Sequence, residues 1–586
     1  PRQALQTASV IGREFTSRLL ERTTGGSGND EALRQLKAVQ LIFERSLYPE
    51  LVFMFKHALT HEVAYGSLLL ERRRTLHSAV ADAIRELYAD RQADVVEMLA
   101  HHYERAERWA DAVPYLVASA DKAMAGFALE EADGYAGRAL AALDRVDAPT
   151  DPSARAHLHH VQGLCHELRN EWDPAIESYR AMASAAEAAG DTATQGLGLA
   201  LVSVAQVYAH DLAGGRASAG QAEAIAISLG DVDLTGLSMV SVLFNQAVAG
   251  ELEEPYARTA ELEATARRAN DVFVKGFGLD LAGELLHMRA REEESLPLLH
   301  EALSLAEGAQ VAQLLQWVYF DVALTTTALG RYDEAFDAAR KNIALCERVG
   351  DRGFWLCRAK NTYGRIFIEL YDFARGEEHN QDAVDRALGF GDLETLRNGM
   401  LNVGDCLLGR GDAEAARTCF DDLERAFAAD EDPGEWMKWR YVQHLWMSSS
   451  MTWLALGQAD RALADADRCL EIADPTGTRR YMSKGRRARA GALAALGRLD
   501  EALDDAQVAL DHAEEIGGPE PVWQAHAARA DVLTAAGRHD EAAEAARSAI
   551  GVIEGIASAV REPGAAAILL ASPPVARVRE LSRSRD

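Results

Sequence analysis

Proline is scarce in this chain, 15 residues in 586, and aromatic residues make up only 7%. With few β-branched or aromatic clusters and abundant alanine, the composition leaves little for extended sheet and favours helix nearly throughout. The six cysteines, Cys165, Cys346, Cys357, Cys406, Cys419 and Cys469, form no CxxC pair and no regular framework. Most fall in apolar helical stretches, where a free thiol acts as a small hydrophobe, so a reducing compartment and a packing role are expected. No basic–apolar–small segment opens the chain, and the longest C-terminal apolar run, Ala565–Ala571, is too short for a bilayer. A cytoplasmic protein without membrane contact is the expectation.

Basic charge is also short: 61 Lys and Arg stand against 91 Asp and Glu, a net charge of −30. Residues 1–90 are nearly balanced, with 12 basic and 11 acidic residues, so the acidic surplus falls on residues 91–586. An array that acidic repels a phosphate backbone, which argues against nucleic-acid binding by it. Catalytic signatures are missing as well. There is no GxxxxGK[ST] loop, no GxSxG elbow and no HExxH helix. Gly25-Gly26-Ser27-Gly28 lacks the lysine and reads as a flexible loop. His57 and His61 stand one helical turn apart without a third ligand, and His157, His159, His160 and His166 read as a solvated helix face. Arg410-Gly411-Asp412 falls on a repeat turn. Neither a catalytic site nor a bound metal or cofactor is expected within the chain itself.

What the sequence does contain is a beat. Gly190-Asp191, Gly230-Asp231, Asn270-Asp271, Gly350-Asp351 and Gly391-Asp392 recur at intervals of 40, 40, 80 and 41 residues, with one mark missing near Gln310-Val311. Asp151-Pro152, Asp432-Pro433, Asp474-Pro475 and Gly518-Pro519 nearly keep the rhythm. Gly or Asn there supplies the left-handed residue that ends a helix. A second mark falls between these, as Gly330-Arg331-Tyr332-Asp333-Glu334-Ala335, Gly411-Asp412, Gly457, Gly497-Arg498-Leu499-Asp500-Glu501-Ala502 and Gly537-Arg538-His539-Asp540-Glu541-Ala542. Gly closes one helix, Asp three residues later is expected to cap the next, and Ala allows close approach. This pattern resembles the tetratricopeptide repeat, stretched from about 34 residues to about 40. The fold class expected is all-α, a tetratricopeptide-like solenoid of long helical hairpins with a concave wall for a protein or peptide partner.

Residues 1–90 break the beat. Ala4–Leu20 and Asp30–Val39 read as helices, 41–45 and 51–55 as a hairpin around Tyr48-Pro49, and His57–Leu70 as a third helix, together a winged-helix-like module. The boundaries expected are 1–90 for this module, 91–150 for connecting hairpins, 151–560 for the superhelix and 561–586 for a flexible tail. Leu5–Phe15, Phe55–Tyr65, Arg72–His77 and Leu99–Tyr103 resemble the region after the ATPase in bacterial class III adenylate/guanylate cyclase proteins that carry a STAND-type ATPase and a tetratricopeptide tail. The chain opens on Pro1 inside a helical pattern, as the C-terminal portion of a longer protein would. The resemblance implies an upstream ATPase domain in cis that binds ATP or ADP with Mg, possible homo-oligomerisation on activation, and a phosphate-sensing role for His57. A helix-start histidine simply packed in place is the plainer reading.

Two surface features stand out. Trp439, Trp446 and Trp453 recur at sevens and so share a helical stripe, readable as core or as a ligand groove. Arg479, Arg480, Lys484, Arg486, Arg487 and Arg489 concentrate cations in an acidic array. They read as ion pairs with acidic neighbours or as an acidic-partner site, with Arg480, Arg486 and Arg487 its candidates. The functional expectation is a non-enzymatic sensor and scaffold region controlling an ATPase or cyclase. The rivals are the repeat region of a LuxR/MalT-like ATP-dependent transcription activator and a free-standing tetratricopeptide adaptor.

Overall fold

The computed structural model describes residues 1–26, 29–46, 50–146, 152–351, 353–429 and 436–583. Ser27-Gly28, Tyr48-Pro49, Asp151, Asp432-Pro433 and Arg585 lie outside them. Two compact units divide the chain, residues 1–165 with 177–195, and residues 166–176 with 196–586.

The first unit begins with α1 (Arg2–Ile11), β1 (Glu14–Thr16), α2 (Ser17–Thr24), α3 (Asn29–Ala38), β2 (Ile42–Ser46), β3 (Val52–Phe55) and α4 (Ala58–Gly66). The single helix expected over Ala4–Leu20 is therefore two helices with a strand between them. Gly12, at φ 150°, ends α1 in a conformation that side-chain-bearing residues rarely adopt, and releases the chain into β1. The strands form an antiparallel sheet in the order β1-β3-β2, with Phe15 opposite Phe53 and Ile42 opposite Phe55, all four buried. The helices α5 (Leu70–Leu87), α6 (Val96–Arg105), α7 (Trp109–Ala125) and α8 (Leu129–Leu143) follow.

Ten helical hairpins come next among the described residues. They are α9 (Pro152–Leu168) with α10 (Trp172–Ala189), α11 (Thr192–Tyr208) with α12 (Leu212–Leu229), and α13 (Val232–Ala249) with α14 (Glu253–Arg268). Then come α15 (Val272–Met288) with α16 (Glu292–Ala309), α17 (Ala312–Ala328) with α18 (Tyr332–Val349), and α19 (Phe354–Glu369) with α20 (Phe373–Phe390). The last four are α21 (Leu393–Gly409) with α22 (Ala413–Ala429), α23 (Lys438–Ala455) with α24 (Ala459–Thr476), α25 (Arg479–Ala495) with α26 (Leu499–Ile516), and α27 (Pro519–Ala535) with α28 (His539–Ala559).

The turn chemistry explains the hairpins. Gly230, Gly350 and Gly391 cap their helices at φ 63°, 76° and 75°, and Asp231, Asp271 and Asp392 accept from the backbone N–H three residues on. The missing mark is Gln310, left-handed at φ 55°, whereas Asn270 is not left-handed. At the second mark Asp333, Asp500 and Asp540 sit inside the first turn rather than at the cap. The cap position holds Arg331, Arg498 and Arg538, each clasping a glutamate three residues on: Glu334, Glu501 and Glu541.

The segment expected as a flexible tail is helical over most of its described residues instead. After α29 (Ala565–Ala571) and α30 (Pro573–Arg583), Val575, Val578 and Leu581 are buried, an apolar i, i+3, i+6 stripe that gives the segment a face to pack.

In the second unit the first helices of the middle hairpins, α13 to α19, bury side chains on every face. The cause is that the superhelix touches itself. Trp439 Nε1 donates to Ala247 O at 3.2 Å, Arg480 to His287 O at 2.8 Å, and Arg375 pairs with Glu562 at 3.1 Å, across 192, 193 and 187 residues of sequence. These contacts join hairpins nearly five repeats apart, so distant parts of the superhelix seat on one another. The long open concave wall expected from the repeat is accordingly an enclosed interior. Among the described residues one helix, Val232–Ala249, is long and apolar enough to cross a membrane, and it is one of these buried inner helices.

Candidate functional site

The interior of the second unit holds a cavity of ≈ 160 Å³ lined from α15, α17, α19, α21, α23 and α25. Five cations line it (Arg358, Arg365, Arg440, Arg480 and Lys484) against one carboxylate, Glu369. In a chain of net charge −30 this is a reversal of sign. Asn361, Asn398 and Asn402 add amide donors and acceptors to the wall.

Most of these cations are tethered. Arg358 pairs with buried Glu394 at 3.3 Å, and Arg365 reaches Glu369 at 2.9 Å and Asp405 at 3.5 Å. Asp405 also accepts from His444 Nε2 at 2.7 Å and Ser448 Oγ at 2.6 Å. Burial opposes ionisation of Asp405, but His444, Arg365 and Ser448 outweigh it and hold the carboxyl below its usual range. Lys484 has Glu520 at 3.9 Å, and burial pulls its ammonium below the ordinary lysine value. Burial likewise lowers Arg480 to about 10, while it donates to His287 O and reaches Glu292. Arg440 has no carboxylate within ion-pairing distance among the described residues, its guanidinium meeting Met437 Sδ at 3.9 Å.

The sequence candidates separate here. Trp439 and Arg480 line the cavity. Trp446 lies under Arg468 at 4.6 Å, and Trp453 is held between Arg417 and Arg461 at 4.7 and 4.6 Å. Arg486 pairs with Asp505 at 3.1 Å and Asp474 at 3.4 Å, and Arg487 bonds Gln524. His57 is exposed at the start of α4, and its ring makes no capping bond. Of the histidines read as a solvated face, His157 meets Asp121 at 2.8 Å and His166 meets Glu171 at 2.6 Å. The imidazole nitrogens that converge within 4.8 Å belong instead to His77, His101 and His102 in the first unit. There His77 hydrogen-bonds both His102 and Tyr65, with Arg73 and Arg105 close by. Cys165, Cys346, Cys357, Cys406 and Cys469 are buried, and Cys419 is half-buried; burial pushes the Cys419 thiol up to about 11.

Sequence reasoning missed a second chamber beside the cavity, which shares Phe320 and Arg358 with it. Tyr208, Phe277, Trp317, Trp355 and Trp436 wall it, with Asp280, Glu284 and Asp321 facing in. These residues are scattered from Tyr208 to Trp436 with no shared motif, so only the closure of the superhelix assembles them.

No family model matches the sequence, and no curated protein matches it. Among solved structures, a Rap protein in complex with Competence and Sporulation Factor is 14% identical, with a TM-score of 0.51 over 63% of this chain and 100% of that one. A signal transduction ATPase with a tetratricopeptide repeat sensor, from Pyrococcus horikoshii, is 12% identical, with a TM-score of 0.44 over 72% of this chain and 62% of that one. The APC/C hetero-tetramer Cut9–Hcn1 is 14% identical, with a TM-score of 0.44 over 85% and 93%. At such identities the similarity concerns the fold: helices, hairpin repeats and the likeness to Rap make this chain a tetratricopeptide-like α-solenoid.

Proposed function

We propose that this chain is the sensor region of a STAND-type signalling ATPase, of the nucleotide cyclase–ATPase–repeat kind. In this reading the solenoid interior takes a carboxylate-bearing group of a protein, peptide or small ligand, and occupancy biases the ATPase between resting and active states. The observation that carries the reading is the cation-rich cavity inside an acidic solenoid, since that local field attracts and orients an anionic group. The Rap protein, seen with its own bound factor, supports the idea that such a solenoid receives a regulator. To test it, random eight-residue peptides are selected on the immobilised chain. Those enriched should carry carboxylates and bind at least about tenfold more weakly to Arg440→Gln/Lys484→Gln, the loss of a charge-assisted contact. Equal enrichment on both proteins would remove the reading.

The head supports the link to an ATPase. Its order of helix, strand, two helices and two strands suits a winged-helix-like module. Leu59 and Val63, one turn apart on α4, and Leu69 and Leu70 at the start of α5 are 60 to 81% exposed, apolar surface suited to docking on the nucleotide-binding domain. His57 would there meet a phosphate of ADP or ATP. In a longer protein carrying that domain, His57→Ala should change the ADP release rate severalfold; an unchanged rate would leave His57 as surface.

A further inference from the structure

The second chamber has chemistry opposite to the first. Asp280 and Glu284 stand one helical turn apart on α15, a like-charge pair that costs helix stability, and Asp321 faces them from α17. Asp280 and Asp321 are 3% and 5% exposed, and one carboxylate oxygen of each has no hydrogen-bond partner. Buried acceptors left in that state are costly, and an acid cluster without its own cation more so. The nearby cations meet the need only in part: Arg358, itself paired with Glu394, and Arg440 draw the Glu284 and Asp321 carboxyls back down, but among the described residues neither comes within ion-pairing distance of the cluster. Burial pushes the Asp280 and Asp321 carboxyls well above their usual range, with Glu284 adding to both.

The walls are aromatic, and they already show that they accept positive charge. The Arg358 guanidinium lies 4.5 Å from the Phe320 ring centre, 5.8 Å from that of Trp355 and 5.7 Å from that of Trp436. Tyr208 packs against Trp436 at 4.6 Å, and Phe277 against Trp317 at 4.0 Å, which keeps the faces in place. The chamber is ≈ 20 Å³, room for one small polar group. Among the described residues only the histidine trio of the first unit converges to metal-ligand spacing, so these three carboxylates stand wider apart than a bare ion's ligands. That spacing suits a polyatomic cation with several N–H donors.

We propose that the chamber framed by Asp280, Glu284 and Asp321 binds the protonated head of an amine or guanidine. Its stem passes Phe320 and Arg358 into the larger cavity. This rests on reading the interior as ligand-accepting and adds that the ligand carries a cationic group as well as an anionic one.

The test is calorimetric titration of the full chain at fixed ionic strength with n-butylammonium and methylguanidinium. Saturable binding is expected, weakened at least about tenfold by Asp280→Asn and by Asp321→Asn, the cost of a lost charge-assisted contact. Both variants should melt no lower than wild type, since the amide relieves an uncompensated acid. Should one fail to fold, amide exchange on wild type replaces it: the probe must protect α15 and α17. Probe binding unchanged in the variants, no protection of those helices, or saturation by K⁺ or Ca²⁺ but not by the amines would each overturn the proposal. A lysine-bearing peptide that outcompetes the free amine marks a peptide as the carrier, and the reverse marks a small amine. Amine binding without any selected peptide leaves the chamber standing and sinks the broader reading; peptide capture untouched by Asp280→Asn does the opposite.

Discussion

The Nδ1 atoms of His77 and His102 face one another at 2.9 Å, and Nε2 of His77 meets the Tyr65 hydroxyl at 3.0 Å. Both rings are buried, and a bond between two Nδ1 atoms requires one to donate and the other to accept, so the pair cannot be doubly protonated. Burial, then the neighbouring His101, Arg105 and Arg73, lower His77 from 6.5 to about 4, and burial with the adjoining histidines lowers His102 to about 3. Because the folded values lie below the unfolded one, the stabilisation is present above pH 6.5. It is lost as pH falls through 6.5 towards 4. For His77 alone the loss approaches about 3 kcal/mol at the bottom of that window, at 1.36 kcal/mol per unit. Urea unfolding of the first unit's helices, followed by amide exchange from pH 7.5 to 4.5, should show that slope, and His77→Asn should flatten it. A profile level across the window, or one as steep in the variant, would mean that the pair does not control acid stability.

At the scale of the element, legibility followed the chemistry of turns. Where glycine occupied the left-handed position, as at Gly230, Gly330 and Gly391, the hairpin was readable directly from spacing. The same position is filled by Asn170, His210, Ala290 and Tyr371 at φ 57° to 64°, and these carried no signal. Two long packed helices can hold a single residue in a conformation that local preference disfavours, so the period outlasts its markers. In the head, the amphipathic stretch 4–20 hid β1, although Gly12 marked the break. The site divided along the same line. Trp439 and Arg480 drew attention as members of dense local runs and do line the cavity, whereas Asp280, Glu284 and Asp321 look like ordinary helical acids. Their neighbours arrive from a different turn of the superhelix, a pairing that no local pattern encodes.

For the whole second unit, that pairing changes what kind of object the solenoid is. A solenoid whose hairpins touch only their sequence neighbours behaves as a one-dimensional stack, and damage to one hairpin spreads only to the next. Here Met437 N–H donates to Val248 O at 3.1 Å, Trp439 and Arg480 bond carbonyls of α13 and α15, and Gln524 donates to the Tyr371 hydroxyl at 3.1 Å. Arg480→Ala removes the cation beside Glu292, which is 3% exposed, and leaves that acid buried without it. Breaking a buried pair by deleting one partner costs about 3–5 kcal/mol. Amide exchange should then rise both around α25 and around α15 and α16, two regions separated by 193 residues and joined through that contact. Exchange that rises only in α24 to α26 would show that the turns rest against each other without sharing stability. A joint rise would mean that a ligand seated between the turns is felt in both, which a sensor needs if binding at one hairpin is to reach another five hairpins away.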